Sequence, residues 1–207
     1  EKKAEAGSKR EEQPQQQEHN KEKAEREAQV ASFSISELRQ CINRVGLDHE
    51  GIIDKGELRA LAVKALNPDC LVLAAEPGGE MGNRADCAES KRRNEVQMDM
   101  PPPETVADGL RARLGRCTWP VVRDLVDEVL VVSDVDIVRA MKLIYERMKL
   151  VVEPSGAAGL AAALSPAFAD LNAKSAGWGK TARCRKVGVV LCGGNVDLGG
   201  LWKSYGL

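Results

Sequence analysis

Three short aliphatic runs constrain the fold of this chain more than any other feature. Leu71-Val72-Leu73-Ala74-Ala75, Glu128-Val129-Leu130-Val131-Val132 and Lys186-Val187-Gly188-Val189-Val190-Leu191 are each of strand length and apolar almost throughout. A strand that is apolar on both faces must be covered on both, which is the condition of a parallel sheet flanked by crossover helices. The order strand, helix, strand, helix, helix, strand therefore predicts an α/β fold. Aromatic residues make up only 3 % of the 207, so the core has to be built from Val, Leu, Ala and Ile.

The stretches between these runs carry helix signals. Glu104 to Leu114 predicts a short helix. Ser133 with Asp136 caps another, on which Ile137, Met141, Ile144, Met148 and Val151 form one apolar stripe. Ser155 to Leu164 reads as a helix of small residues, whose backbone a neighbour approaches closely. The polar stretch 78–103, ending in three prolines, reads as a long surface loop. Ahead of the first strand, 34–66 predicts two short helices. Ser34 and Glu37 form a capping box before Ile35, Leu38, Ile42 and Val45, and Asp54 and Glu57 form a second before Leu58, Leu61, Ala62 and Ala65. Half of residues 1–30 are charged and Val30 is their only large aliphatic, so this tail is expected to be disordered.

A net charge of −1 gives no electrostatic reason to expect a nucleic-acid partner. No apolar run approaches the ~20 residues that span a bilayer, and the charged start of the chain leads us to expect no secretory signal. The six cysteines (Cys41, Cys70, Cys87, Cys117, Cys184, Cys192) are expected to be reduced thiols in a cytoplasmic protein. With Glu1 rather than Met first, the chain is expected to be a fragment.

The sharpest local feature is Leu191-Cys192-Gly193-Gly194-Asn195, at the end of the third run. In open α/β sheets, ligands bind at the carboxyl ends of strands, and two glycines there permit close backbone approach. The same residues also suit a plain strand-to-helix turn with a buried thiol. Gly177-Trp178-Gly179-Lys180-Thr181 imitates the end of a phosphate-binding loop, but Lys174 stands where its first glycine belongs. Leu38 through Leu58 is similar to small SAP-like hairpins and to half an EF-hand, whose alternating acids are missing. Lys91-Arg92-Arg93 reads as a solvated loop cluster.

Several blocks in one order resemble the serine racemase and serine/threonine dehydratase family. They are Val63-Lys64-Ala65-Leu66-Asn67-Pro68 with Ala74-Ala75-Glu76-Pro77, Pro102 to Gly109, Thr118 to Asp127, Tyr145 to Ala157, and Val190 to Leu198. The resemblance implies part of the tryptophan-synthase-β-like fold, a pyridoxal phosphate cofactor held as an imine on a lysine, and serine or threonine as the small-molecule substrate. Members of that family racemise serine or eliminate water and then ammonia. By resemblance, Cys192 sits against the pyridine nitrogen, where the family has a serine or a cysteine. Neither residue readily donates a full proton, which leaves a weaker electron sink suited to β-elimination. Gly109 matches a glycine whose backbone lies beside the cofactor ring, and Glu153 matches an acidic residue near it. From the residues alone, Gly109 is equally an ordinary loop glycine and Glu153 a charge at the end of an element.

Glu76 and Asp86 match the carboxylates of the family's divalent-metal site, with the Arg84 carbonyl completing the protein ligands. This is the hard oxygen set that Mg²⁺ or Ca²⁺ prefers. The stretch Gly78-Gly79-Glu80-Met81-Gly82-Asn83 lengthens that loop beyond the family's spacing, which also suits a solvated loop with incidental acids. The family's lysine motif, Ser-x-Gly-Asn substrate loop and tetraglycine phosphate cup would precede Val63, and nothing in 1–62 resembles them. An alternative splice, a gene-model error or a fusion would each look this way.

The expected organisation is thus a charged tail (1–33), a helical hairpin (34–62) and the carboxyl-terminal part of a pyridoxal-phosphate domain (63–207). Such a chain is expected to be truncated and inactive alone, and a homodimer is the assembly the family allows. The different-class alternative is a non-catalytic interaction module with a relic α/β domain.

Overall fold

A computed structural model describes residues 34–44, 55–79, 85–116, 118–174 and 186–205. The charged tail, the Gly46–Gly51 break, Asp54 of the second capping box, the Glu80–Arg84 insertion and the Gly177–Thr181 stretch lie outside them.

Helix α1 (Ile35–Arg44) begins at the expected box. The Glu37 amide donates to Ser34 Oγ (3.3 Å), and the Ser34 amide and hydroxyl both donate to Oε2 of Glu37 (2.7 Å each). Its stripe of Leu38 and Ile42 is fully buried against Leu61 and Ala62 of helix α2 (Lys55–Leu66) and Val121 of a later helix. The junction expected between Ala62 and Val63 falls inside α2, which is continuous across it. Near its end the Lys64 ammonium meets Oδ2 of Asp127 at 2.6 Å and the Cys70 carbonyl at 2.7 Å. Asp127 also accepts from the Val72 amide at 2.7 Å. The two side chains are 12 % and 19 % exposed, so this ion pair is shielded enough to fix α2 to the sheet.

Strands β1 (Leu73–Pro77) and β2 (Glu128–Val132) pair in parallel, with Leu73 opposite Glu128 and Pro77 opposite Val132. Alternation divides their side chains between two faces. Leu73, Ala75, Leu130 and Val132 pack with helices α5 and α6, and Ala74 and Val129 pack with α3 and α4. Those helices are α3 (Asp86–Arg93), α4 (Trp119–Leu125), α5 (Asp134–Leu143) and α6 (Pro154–Leu164); α7 (Pro166–Lys174) and α8 (Leu198–Tyr205) follow. Lys91 departs from the expected solvated cluster. Its ammonium holds the Val122 and Arg123 carbonyls (3.2 and 2.6 Å), closing the carboxyl end of α4.

Further expectations are corrected. The stretch 78–103 is not a loop throughout: α3 lies within it, its first turn capped from β1 by Glu76. The run 186–191 is not a strand: it is irregular and lies along α6, where Gly159 faces the Val189 side chain and the Val190 carbonyl. The predicted helix Glu104–Leu114 shrinks to one tight turn, Asp108–Leu110, and the amides of Gly109 and Leu114, which a helix would use internally, go instead to Ser155 and Asp86 on other elements. Finally, α5 starts as expected, with the Asp136 amide donating to Ser133 Oγ (3.2 Å), but ends in a widened five-residue turn over Ile144–Met148. That turn rotates the stripe out of phase. Ile137, Met141 and Ile144 are fully buried, whereas Met148 and Val151 are 51 % and 66 % exposed.

Candidate cofactor and cation site

Helix α6 begins with Pro154 in its first turn and Glu153 at its cap, and its small residues admit a second chain segment. That segment carries Cys192. The Cys192 carbonyl oxygen would lie 1.7 Å from a Cβ on Gly156, so only glycine fits there. Gly193 has φ +72°, a left-handed conformation that glycine tolerates best, and a Cβ on it would overlap the Glu153 carboxyl. The Glu153 amide donates to the Gly193 carbonyl (3.1 Å), and Oε2 of Glu153 accepts from the Asn195 amide (3.2 Å). Glu153 therefore holds the glycine turn from both its backbone and its side chain.

Gly109 reaches the same helix end from the other side. Its amide is shared between Oδ1 of Asp108 (2.9 Å) and Oγ of Ser155 (3.1 Å). The structure thus brings Gly109, Glu153 and Cys192 together around the first turn of α6, although 83 residues of sequence separate the outer two. Cys192 is an exposed, reduced thiol. Sequence reasoning missed Ser155 and Gly156. The Pro-Ser-Gly run at a helix start marks both, but their roles depend on segments remote in sequence.

Glu76, the fourth residue of β1, points to the face covered by α3. Its Oε1 accepts from the Cys87 amide (2.8 Å) and its Oε2 from the Ala88 amide (2.7 Å), capping a helix whose own Ala85 offers no cap. The Glu76 carboxyl is raised from 4.5 to about 7, with burial the largest cause. The two amides pull it back, and a side-chain hydrogen bond and like charge from Asp86 raise it again. Asp86 is buried and its Oδ2 accepts from the Leu114 amide at 2.8 Å. Glu76 and Asp86 therefore converge, while Arg84 lies outside the described residues. No group of three or more His, Cys, Asp or Glu forms among the described residues, so side chains supply these two carboxylates. Two neighbouring carboxylates, one half-buried and one buried, are part of the oxygen set that a hard divalent cation takes.

Among the described residues, no helix is long and apolar enough to cross a membrane. Residues 59–193 match the family of pyridoxal-phosphate dependent enzymes. A serine racemase from rice (Oryza sativa subsp. indica) is 52 % identical over 145 residues, covering 70 % of this chain and 39 % of the relative. One from Arabidopsis thaliana is 48 % identical over 146 residues, covering 70 % and 40 %. The structure of maize serine racemase superposes with a TM-score of 0.58 at 52 % identity, covering 72 % of this chain and 41 % of that one. The chain spans about two fifths of the length of these relatives. Within that span it carries the α/β, tryptophan-synthase-β-like architecture, and its relatives are enzymes of amino acids. The chain belongs to the pyridoxal-phosphate dependent enzymes.

Proposed function

We propose that residues 63–207 form the carboxyl-terminal share of a serine racemase or serine/threonine dehydratase site, and that this chain alone does not turn over. The observation that carries the reading is the convergence of Gly109, Glu153 and the Cys192 turn on the first turn of α6. An exposed thiol between a pinned carbonyl and two glycines suits a flat heterocycle, so these residues fit pyridoxal phosphate.

When bound, the cofactor supplies an electron sink for negative charge at the α-carbon of an amino acid. Cys192 would offer its thiol to the ring nitrogen as a weak hydrogen-bond partner that leaves it largely unprotonated. The backbone of Gly109 would flank the ring. Glu153 keeps the glycine turn in place, which fixes the height of the thiol. Glu76 and Asp86 would hold Mg²⁺ or Ca²⁺ with a backbone carbonyl near Arg84, as a structural ion at the end of β1.

Racemisation and elimination also need a base at the α-carbon and an anion cup for the phosphate. By resemblance, neither comes from 63–207, and 1–62 resembles neither. Other lysines, such as Lys149 and Lys186, lie in blocks whose family counterparts are not the imine lysine. The same reading extends to a homodimeric assembly in the cytoplasm, with serine or threonine as substrate. The hairpin read as an interaction module buries its Leu38–Ile42 stripe on this chain's own α2 and α4, which disfavours that alternative.

The test is the purified chain with pyridoxal phosphate, Mg²⁺ and L-serine, following pyruvate and D-serine. No turnover above the cofactor-only control is expected. Mixing with the amino-terminal three fifths of a serine racemase is expected to produce turnover that Cys192→Asp diminishes. Turnover by the chain alone would overturn the proposal.

A further inference from the structure

Two neighbouring residues in the first turn of α6 touch the two glycine loops. Gly156 carries the Cys192 carbonyl against its Cα. Ser155, the residue before it, holds Gly109. Its Oγ accepts from the Gly109 amide at 3.1 Å, and a Cβ on Gly109 would meet that oxygen at 3.0 Å and the Ser155 Cβ at 3.4 Å. Consecutive Cα atoms of a trans chain lie about 3.8 Å apart, so one helix turn sets both loops at a fixed spacing.

The turn itself is firmly seated. Pro154 and Gly156 on either side of Ser155 are buried, and the Ala157 amide donates to the Glu153 carbonyl at 3.2 Å. The Gly109 amide has a second acceptor, Oδ1 of Asp108 at 2.9 Å, but that residue is exposed and belongs to the same tight turn. Asp108 therefore moves with Gly109 and cannot fix it. Arg111 likewise closes the loop upon itself, its Nε and Nη2 donating to the Thr105 carbonyl at 3.2 and 2.8 Å. Asp134 on α5 anchors the start of the loop through the Thr105 hydroxyl and the Val106 amide. At the apex, the tie to another element is Ser155.

We infer that Ser155 is a positioning residue for the cofactor: its hydroxyl holds the Gly109 backbone at a set height over α6, as the wall against which the ring lies. The inference rests on the cofactor reading above. A wall already in place adds affinity, whereas a loop that must be ordered on binding subtracts from it. Gly156 does for the Cys192 turn what Ser155 does for Gly109, so adjacent residues of one helix place both sides of the slot.

The experiment uses the full chain and pyridoxine phosphate, which has the ring and phosphate of the cofactor but no aldehyde, and so forms no imine with surface lysines. Equilibrium dialysis reads its affinity, hydrogen exchange reads the loop, and urea unfolding reads stability. The unsubstituted chain is compared with Ser155→Ala and Ser155→Thr. In Ser155→Ala, affinity is expected to fall about fivefold and exchange across 106–110 to quicken by a similar factor, with the unfolding midpoint held. Ser155→Thr keeps an acceptor in the same place and is expected to restore both. Faster exchange with unchanged affinity overturns the positioning role and leaves the cofactor reading standing. Weaker binding that follows the unfolding midpoint down, or that Ser155→Thr does not restore, overturns the role in favour of a merely structural one. No binding by the unsubstituted chain overturns the cofactor reading and the inference with it.

Discussion

The carbonyl oxygen of Cys192 rests directly on the Cα of Gly156, at a spacing that excludes any side chain. The contact is between backbones, so neither partner relieves an added methyl by changing rotamer. Gly156→Ala is therefore expected to displace the Cys192 turn and destabilise the chain by about 1–3 kcal/mol. Gly159→Ala faces a softer neighbour, the Val189 side chain at 3.2 Å, and gains helix propensity, so its effect should stay within about 1 kcal/mol. Denaturant unfolding of both variants checks the contrast; equal losses would mean that the turn yields.

The raised Glu76 carboxyl makes stability depend on pH. Between 4.5 and about 7 the folded chain keeps a proton that the unfolded chain has lost. Stability contributed by this group therefore falls as pH rises through that window and is level above it. In chelator-treated protein, Glu76→Gln is expected to flatten the fall, as read from urea midpoints across the window. An unchanged slope in the variant would assign the dependence elsewhere.

Divalent cation should reverse that loss. A ligand that binds only the folded state raises its midpoint, so Mg²⁺ or Ca²⁺ is expected to stabilise the chain above neutral pH. Glu76→Gln should abolish the rise. An equal response in the variant would show that the lengthened loop has dismantled the site.

Lys64 and Asp127 fasten α2 to the start of the sheet. Lys64→Met leaves Asp127 its Val72 amide but removes its counter-charge, and a loss of about 1–3 kcal/mol is expected. A double-mutant cycle with Asp127→Asn measures the coupling, and additive losses would mean that the pair contributes nothing.

The two-stranded sheet has open edges among the described residues, and Val151, Leu164, Met148 and Val187 are all more than half exposed. Concentration-dependent association is expected, visible by gel filtration and light scattering. A monomeric profile with one sharp melt would count against it.

Signals local in sequence were legible. The Ser34–Glu37 and Ser133–Asp136 boxes start helices where they should, since both partners lie within one turn. The strand at 128–132 was legible from its aliphatic run, and the one expected at 71–75 lies two residues later, at Leu73–Pro77. What stayed hidden depends on partners far along the chain. Among the described residues the aliphatic run at 186–191 pairs with no strand and lies along α6, and the 104–114 helix gives way to Ser155 and Asp86, which take the Gly109 and Leu114 amides. The widened turn at Ile144–Met148 leaves no mark on periodicity until its consequence, an exposed Met148, is seen. Of the site, resemblance supplied Cys192, Gly109 and Glu153, while Ser155 and Asp134 emerge only when distant amides find their acceptors.

Helix α2 starts at Lys55, ahead of the family-matched segment, and ends at Leu66 inside it. It works as a splint across the start of that segment, and a splint of this kind has a phase. Each residue added to a helix turns everything beyond it by about 100°. One residue inserted between Lys55 and Leu61 would leave Lys64 on Asp127 while swinging α1 away from Val121. The docking of α1 on Val121 therefore depends on the rotational register of α2, a constraint on its length as strict as any on its side chains.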